Sequence, residues 1–306
     1  MENLRTQALK GFSVSMLALA MVACGGGSSD DPAPAANNNT NNNTASSLTA
    51  VELAKVASAI QSAKTIFDVV SYGGIDGIEE VITDGKAGKD INCGTSLSAG
   101  KFKVTANTAT AYSKDGSAVN DLCLESGEKW DGSIAYECKD AACDNSVVTS
   151  TNAVWGDTVN NVDLKISGTM TTSTNGDVFK GTSSISKSGQ STLFTFSDVG
   201  LTQSYPAKNT VGGSGALSIS NGSATNCIDG TYSYTVATNL TMPSGTQRLN
   251  GGSISIKSGS NDLGTVSFNT DGSIKVKLPS GVESTVSKLD FEGTCGLKEA
   301  YMFSEK

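Results

Sequence analysis

The chain has 306 residues, with 22 basic and 30 acidic side chains and a formal net charge of -8. An acidic, mostly polar surface argues against nucleic-acid binding and against electrostatic docking on anionic lipid, because both partners are themselves negatively charged. Aromatic residues make up only 6% of the chain, whereas 34 residues are glycine. The composition therefore predicts a core of aliphatic side chains at alternating positions, connected by many turns.

The chain begins with the layout of an export signal. Arg5 and Lys10 precede an apolar run over residues 11–23, and the run ends at Cys24. A basic segment followed by a short hydrophobic one is typical of a secretory signal peptide. The run is shorter than the roughly 20 apolar residues that a helix needs to cross a bilayer. We therefore predict that residues 1–23 are a signal peptide and not a transmembrane anchor.

Met21-Val22-Ala23-Cys24 resembles the lipobox of bacterial lipoproteins, although methionine stands where leucine is usual. The resemblance implies that the thiol of Cys24 receives a diacylglyceryl group and that the chain is cut just before it. The alternative is an ordinary signal peptide followed by an unmodified cysteine. Gly25 comes next, where an aspartate would favour retention in the inner membrane. By the same resemblance the predicted location is the outer membrane, facing either the periplasm or the cell surface.

Residues 24–47 carry the lipidated cysteine and a stretch rich in Gly, Ser, Pro and Asn. This stretch has no large apolar residue, so it cannot bury enough surface to offset the entropy lost on ordering. We interpret it as a disordered tether. Residues 48–306 then form the predicted folded domain, with a subdivision near Asn152 as an alternative.

A long amphipathic helix is predicted from Leu48 to Tyr72. Thr49 and Glu52 have the spacing of a capping box, and Gly73-Gly74 is expected to end the helix. A second, shorter helix is predicted from Gly77 to Thr83, capped by Asp76. Apolar residues recur in the first helix at steps of three and four and form one stripe, which is expected to pack on the domain's own sheet: Leu53, Val56, Ile60, Ala63, Phe67 and Val70.

After Ile91 the apolar residues recur at every second position. Such alternation predicts strands with one buried and one solvated face, as in antiparallel sheets. Asn175-Gly176, Asp115-Gly116 and Asp271-Gly272 are turn sequences that favour hairpins between these strands. The predicted fold class is therefore all-β, with consecutive antiparallel hairpins that form an open barrel or sandwich and one N-terminal amphipathic helix packed on it.

Six cysteines follow Cys24, an even number that predicts structural disulfides in an exported domain. Six cysteines allow 15 connectivities, and we favour the pairing of neighbours. Zinc is the alternative, but structural zinc sites use close Cys-x-x-Cys or Cys/His pairs that the sequence lacks. We therefore expect no metal. The predicted pairs are Cys93 with Cys123, Cys138 with Cys143, and Cys227 with Cys295.

The sequence contains no histidine, which excludes Ser-His-Asp and Cys-His catalysis. Ser184 and Lys187 fit the letters of a Ser-x-x-Lys motif. They lie in a β-patterned segment, however, where their side chains would point to opposite faces. We predict that the protein is not an enzyme and that it uses no cofactor.

Trp130, Tyr136, Trp155 and Tyr205 are candidates for a binding surface, because exposed aromatic side chains mark such surfaces. Packing in the core is the alternative for all four. The leading hypothesis is a non-enzymatic binding, adhesion or envelope-assembly module, held on the membrane by its lipid, with a protein or glycan partner. The alternative is a carrier that shelters an apolar ligand, such as a lipid, between helix and sheet. A histidine-free hydrolase is the third hypothesis.

Overall fold

A computed structural model describes residues 47–83, 116–119, 128–140, 145–173, 176–198, 201–204, 210–242 and 248–304. All described residues belong to one compact unit, Thr44–Lys306. The predicted signal peptide, Cys24 and nearly all of the tether lie outside the described residues.

Helix α1, Ala50–Thr83, begins at the predicted capping box. The backbone N–H of Glu52 donates to Thr49 Oγ1 at 3.3 Å, and the backbone N–H of Thr49 donates to Glu52 Oε2 at 2.8 Å. Thr49 Oγ1 also donates to Glu52 Oε2 at 2.8 Å. The backbone and hydroxyl donors of Thr49 hold the pKa of Glu52 below its usual value, since they favour the ionised carboxylate. The predicted start of the helix is thereby confirmed.

The predicted end of the helix at Gly73-Gly74 is wrong, and so is the separate second helix, because α1 continues without a break to Thr83. Both glycines lie where the helix approaches the sheet most closely. A Cβ atom at Gly73 would lie 2.7 Å from the Trp155 ring, and one at Gly74 would collide with Ile134. The glycine pair thus permits close packing and does not mark a helix terminus.

Thirteen strands follow in chain order among the described residues, of which nine have 8 to 12 residues and four have four residues. They are β1 Gly116–Val119, β2 Glu128–Cys138, β3 Ser146–Asp157, β4 Val162–Ser173, β5 Gly176–Lys187, β6 Gln190–Asp198, β7 Leu201–Ser204, β8 Thr210–Ser220, β9 Gly230–Thr241, β10 Gly251–Ser258, β11 Asn261–Phe268, β12 Ile274–Lys277 and β13 Glu283–Val286.

The strands form one sheet in which every pairing is antiparallel and the spatial order follows the chain. β7 is the one strand off this path, and it pairs with the first residues of β8. Asp271-Gly272 forms the predicted turn between β11 and β12, with Gly272 at a φ of 81°. Asn152 lies inside β3, so the sheet continues across the position considered for a subdivision. The all-β class with consecutive hairpins is confirmed.

The sheet curls around α1, since the helix contacts strands β1 to β5 near one end of the sheet and β10 to β13 at the other. All six residues of the predicted apolar stripe are fully buried, which confirms that the helix packs on the sheet. The opposite side of the helix is also buried, including Lys64 and Asp68. The helix is therefore covered on both sides in this stretch, because the sheet and the C-terminal segment enclose it.

Two short helices close the described part of the chain, α2 Lys288–Glu292 and α3 Leu297–Ser304. Helix α1 is joined to this segment by hydrogen bonds from buried hydroxyl groups. Ser58 Oγ donates to the carbonyl oxygen of Phe291 at 3.0 Å, and Ser62 Oγ donates to that of Cys295 at 2.8 Å. The C-terminal segment thus covers a stretch of α1 that the sheet leaves open.

Candidate functional site

The aromatic residues predicted as a binding surface lie mainly in the core. Trp130 is 2% exposed and Tyr136 is 5% exposed, so the prediction is wrong for these two. Trp155 is half-buried, and its ring centroid lies 6.0 Å from that of Trp130. Both tryptophans pack beside the glycine pair of α1 and supply the bulk that the glycines lack. Tyr205 lies outside the described residues.

The predicted disulfide between Cys227 and Cys295 is present, with a Cα–Cα distance of 4.7 Å. It joins the turn after β8 to the segment between α2 and α3. The backbone N–H of Cys295 also donates to the carbonyl oxygen of Thr225 at 2.7 Å. Cys93, Cys123, Cys143 and the side chain of Cys138 lie outside the described residues, so their pairing stays a prediction.

Ser184 and Lys187 do not form a catalytic pair. Lys187 Nζ lies 2.5 Å from Glu299 Oε1 of α3, whereas Ser184 lies opposite Lys165 and Leu193 on the outer face of the sheet. Among the described residues, no three side chains of the metal-binding types converge on a common point.

The outer face of the sheet, which points away from α1, carries rows of hydroxyl groups that run across the strands. One row, called here the first hydroxyl row, crosses five neighbouring strands, and each of its members is directly opposite the next in the strand register. All members reach the surface. At about 4.8 Å between neighbouring strands, the row extends about 19 Å. Its members are Ser167, Thr182, Thr195, Ser218 and Thr231.

A second hydroxyl row crosses the later strands in the same way. Ser255 Oγ and Thr265 Oγ1 lie 3.1 Å apart in this row, and Ser218 Oγ and Thr231 Oγ1 lie 2.9 Å apart in the first. Each hydroxyl in such a pair retains spare hydrogen-bonding capacity, because it has one donor and two acceptor positions. The members of the second row are Ser214, Thr235, Ser255 and Thr265, followed by Lys277.

Two exposed lysines stand on opposite sides of the first hydroxyl row. Lys165 precedes Ser167 by two residues on β4, and Lys180 precedes Thr182 by two residues on β5. Because the two strands are antiparallel, one ammonium group lies on each side of the row. Neither lysine forms a salt bridge with a described residue.

The interior of the domain holds a second group of polar side chains, called here the buried polar cluster: Lys64, Asp68 and Tyr72 of α1 with Asp177 of β5. Lys64 Nζ forms an ion pair with Asp68 Oδ2, and both side chains are buried. Tyr72 Oη donates to Asp177 Oδ2 at 2.9 Å. Lys64 Nζ also lies 5.8 Å from the centroid of the Phe179 ring. The cluster thereby connects the middle of α1 to β5.

The electrostatics of this cluster are dominated by burial. Burial raises the pKa of Asp68, the Lys64 ammonium acts in the opposite direction, and the charge of Asp177 raises the pKa further. One oxygen of Asp68 and one of Asp177 are buried without a hydrogen-bond partner. The ion pair of Lys64 and Asp68 lies within α1, whereas the hydrogen bond from Tyr72 to Asp177 joins the helix to β5. We therefore interpret this hydrogen bond as the contact of the cluster that favours the observed rotation of α1, since another rotation would leave the buried Asp177 without Tyr72.

Sequence patterns alone predict only part of the hydroxyl rows and of the buried polar cluster. Alternating Ser and Thr residues predict a wet strand face, but their alignment into rows depends on the register between strands. Lys64 and Asp68 have the i, i+4 spacing of an ordinary exposed helix pair. Their burial follows from the curl of the sheet, which no local pattern encodes.

No protein-family model, no curated protein and no solved structure matches this chain. Of the helices among the described residues, none combines the length and the apolar character required to traverse a bilayer.

Proposed function

We propose that the protein is an outer-membrane lipoprotein, anchored through lipid on Cys24, that acts as a non-enzymatic binding module through the outer face of its sheet. The observation that carries the binding role is the alignment of hydroxyl groups into rows across that face. A continuous polar surface of this kind offers many hydrogen bonds to a ligand that lies flat on it.

The anchoring part of the proposal rests on the lipobox-like segment and the residues after it. Several acyl chains on Cys24 would give stable attachment, at about 0.8 kcal/mol for each buried methylene group, whereas one chain gives only marginal binding. Residues 25–47 then set the reach of the domain. A flexible chain of this length spans on the order of 25 Å, so the domain stays close to the bilayer.

The outer face supports the proposal better than the interior does. Side chains of α1 from Leu53 to Ser71 fill the concave side of the sheet and are buried, apart from a half-buried Lys55. A cavity beside Phe268 and Phe291 measures about 10 Å³, the space of one water molecule. An apolar ligand would have to displace the helix, so we favour binding on the outer face over carriage inside the sheet.

The anchoring is tested by growing cells with an alkyne analogue of palmitate and isolating the protein. We expect label on the wild-type chain, none on Cys24→Ala, and release of Cys24→Ala from the membrane fraction. An unlabelled wild-type chain, together with a Cys24→Ala variant that fractionates as before, would contradict the anchoring.

The binding role is tested with the purified mature lipoprotein and envelopes from cells that lack it. The variant Thr195→Glu/Ser218→Glu places two carboxylates in the middle of the first hydroxyl row, and Ser280→Glu in the exposed turn after β12 is the matched control. We expect the double variant to lose retention on the envelopes and the control to keep it. Equal retention of all three proteins would refute a role for the outer face.

A further inference from the structure

We propose that the ligand of the first hydroxyl row is a sparsely carboxylated glycan strand that lies along the row between Lys165 and Lys180. This inference rests on the proposed function, because it names the ligand class of the same face. It follows from the geometry of the row, from the placement of the two lysines and from the charge of the whole chain.

The row matches the shape of an extended polymer of sugars. Its hydroxyls recur at the spacing of the strands, about 4.8 Å, which is comparable with the repeat of an extended glycan chain. Ser167, Thr182 and Thr195 are half-buried residues of the sheet. Ser167 Oγ accepts a hydrogen bond from the backbone N–H of Asn152 at 2.9 Å, and Thr182 Oγ1 donates to the carbonyl oxygen of Ser167 at 3.5 Å. Each hydroxyl keeps acceptor capacity for the hydroxyl groups of a sugar, because it has two acceptor positions. Successive sugars would therefore meet successive strands.

Charge complementarity indicates that the glycan carries carboxylates. Lys165 and Lys180 are exposed, and they lie two residues from the row on opposite sides of it. Directly opposite the two lysines, Ser184 and Thr169 are uncharged. Two aspartates lie beside later strands of the row, since Asp198 on β6 pairs with Ala216 and the exposed Asp229 precedes Thr231 by two residues. A carboxylate on the sugar chain would thus meet a lysine at the end of the row formed by β4 and β5.

The net charge of the chain limits how acidic this ligand can be. The whole chain carries a net charge of -8, and a dense polyanion along the row would extend from the lysines toward Asp198 and Asp229. Exposed charges more than about 8 Å apart are largely screened at physiological salt, so the local lysines dominate a carboxylate placed beside the row. A glycan chain with occasional carboxylates can pair with the two lysines and avoid repulsion by the rest of the acidic protein. A dense polyanion or an anionic lipid surface cannot do both.

The test uses the lipidated mature chain in phosphatidylcholine nanodiscs, titrated with fluorescent dextran and with lightly carboxymethylated dextran of the same length. We expect the carboxymethylated polymer to bind more tightly than plain dextran. Lys165→Gln/Lys180→Gln should remove this preference, with about a tenfold loss of affinity for the carboxymethylated polymer. Thr182→Val/Thr195→Val should weaken the binding of both polymers, since valine is compatible with a β-strand but has no hydroxyl group.

Lys288→Gln/Lys298→Gln is the matched control, because it removes two exposed lysines from α2 and α3, outside the hydroxyl rows, and it should bind like the wild type. Equal binding of the two dextrans, or a preference that survives Lys165→Gln/Lys180→Gln, would overturn the inference. Binding of phosphatidylglycerol vesicles through Lys165 and Lys180, without binding of the carboxymethylated polymer, would also overturn it and indicate a lipid surface. In either case the proposed function stands if the envelopes still retain the protein through the first hydroxyl row.

Discussion

At the scale of single residues, the ion pair between Lys64 and Asp68 places two charged groups in the interior of the domain. Both side chains are buried, and charges removed from water are stable only while they are paired and hydrogen-bonded. Removing one partner leaves the other as an uncompensated buried charge. Replacing both by apolar residues leaves no unpaired charge in the interior.

We therefore expect Asp68→Leu to lower the free energy of unfolding by about 3–5 kcal/mol. Lys64→Met/Asp68→Leu should be more stable than Asp68→Leu, because no lone ammonium group remains in the core. Urea denaturation of the wild type, Lys64→Met, Asp68→Leu and the double variant measures this. A double variant as unstable as the sum of the two single changes would show that the pair is not coupled.

The raised pKa of Asp68 predicts a specific dependence of stability on pH. Between the usual carboxyl pKa and the raised one, the folded protein binds more protons at this site than the unfolded chain does. The contribution of Asp68 to stability must then fall as the pH rises through this window. Denaturation curves across acidic to neutral pH should show this fall in the wild type and not in Asp68→Asn. A parallel pH dependence in the two proteins would be inconsistent with a raised pKa.

At the scale of elements, helix α1 depends on the absence of side chains at Gly73 and Gly74. In an exposed helix, Gly→Ala stabilises by about 1 kcal/mol. Here a methyl group would meet the Trp155 ring or Ile134. We expect Gly73→Ala and Gly74→Ala each to destabilise the protein by about 1–3 kcal/mol through overpacking. An increase in Tm for either variant would show that α1 has room for a methyl group beside Trp155 and Ile134.

The C-terminal segment is held by the disulfide between Cys227 and Cys295, which are separated by 68 residues in sequence. A cross-link that closes a loop of this length is expected to stabilise by about 4 kcal/mol, mainly by restricting the unfolded chain. Cys227→Ala/Cys295→Ala should lose about this amount in urea denaturation. A loss well under 1 kcal/mol would mean that the contacts of Ser58 and Ser62 hold the segment without the bond.

These elements show how far the sequence can be interpreted. The capping box of Thr49 and Glu52 and the apolar stripe of α1 are local patterns, and both predictions are confirmed. The pairing of Cys227 with Cys295 is confirmed as well. Gly73-Gly74 was misinterpreted as a helix end, because a local signal cannot show that two tryptophan rings and Ile134 occupy the space of the missing side chains. Trp130 and Tyr136 fail as surface residues for the same reason.

At the scale of the whole molecule, the sheet separates two environments. Its concave side encloses α1 and is filled, whereas its outer side presents hydroxyl rows that only the register between strands brings into line. The lipid anchor proposed at Cys24 would hold the folded domain near the envelope. Binding on the outer face is thus the central claim, and it predicts that this face of the wild-type protein is protected from solvent in the envelope.

Hydroxyl-radical footprinting of the lipoprotein in its own envelope tests that claim most directly. Leu193 lies beside the first hydroxyl row and is 38% exposed, and Leu289 lies on α2 away from the row and is 82% exposed. Oxidation of both leucines is compared by mass spectrometry between envelopes and detergent-purified protein. We predict that Leu193 is protected in the envelope while Leu289 is oxidised equally in both samples. Equal oxidation of Leu193 in the two samples would contradict binding through the outer face.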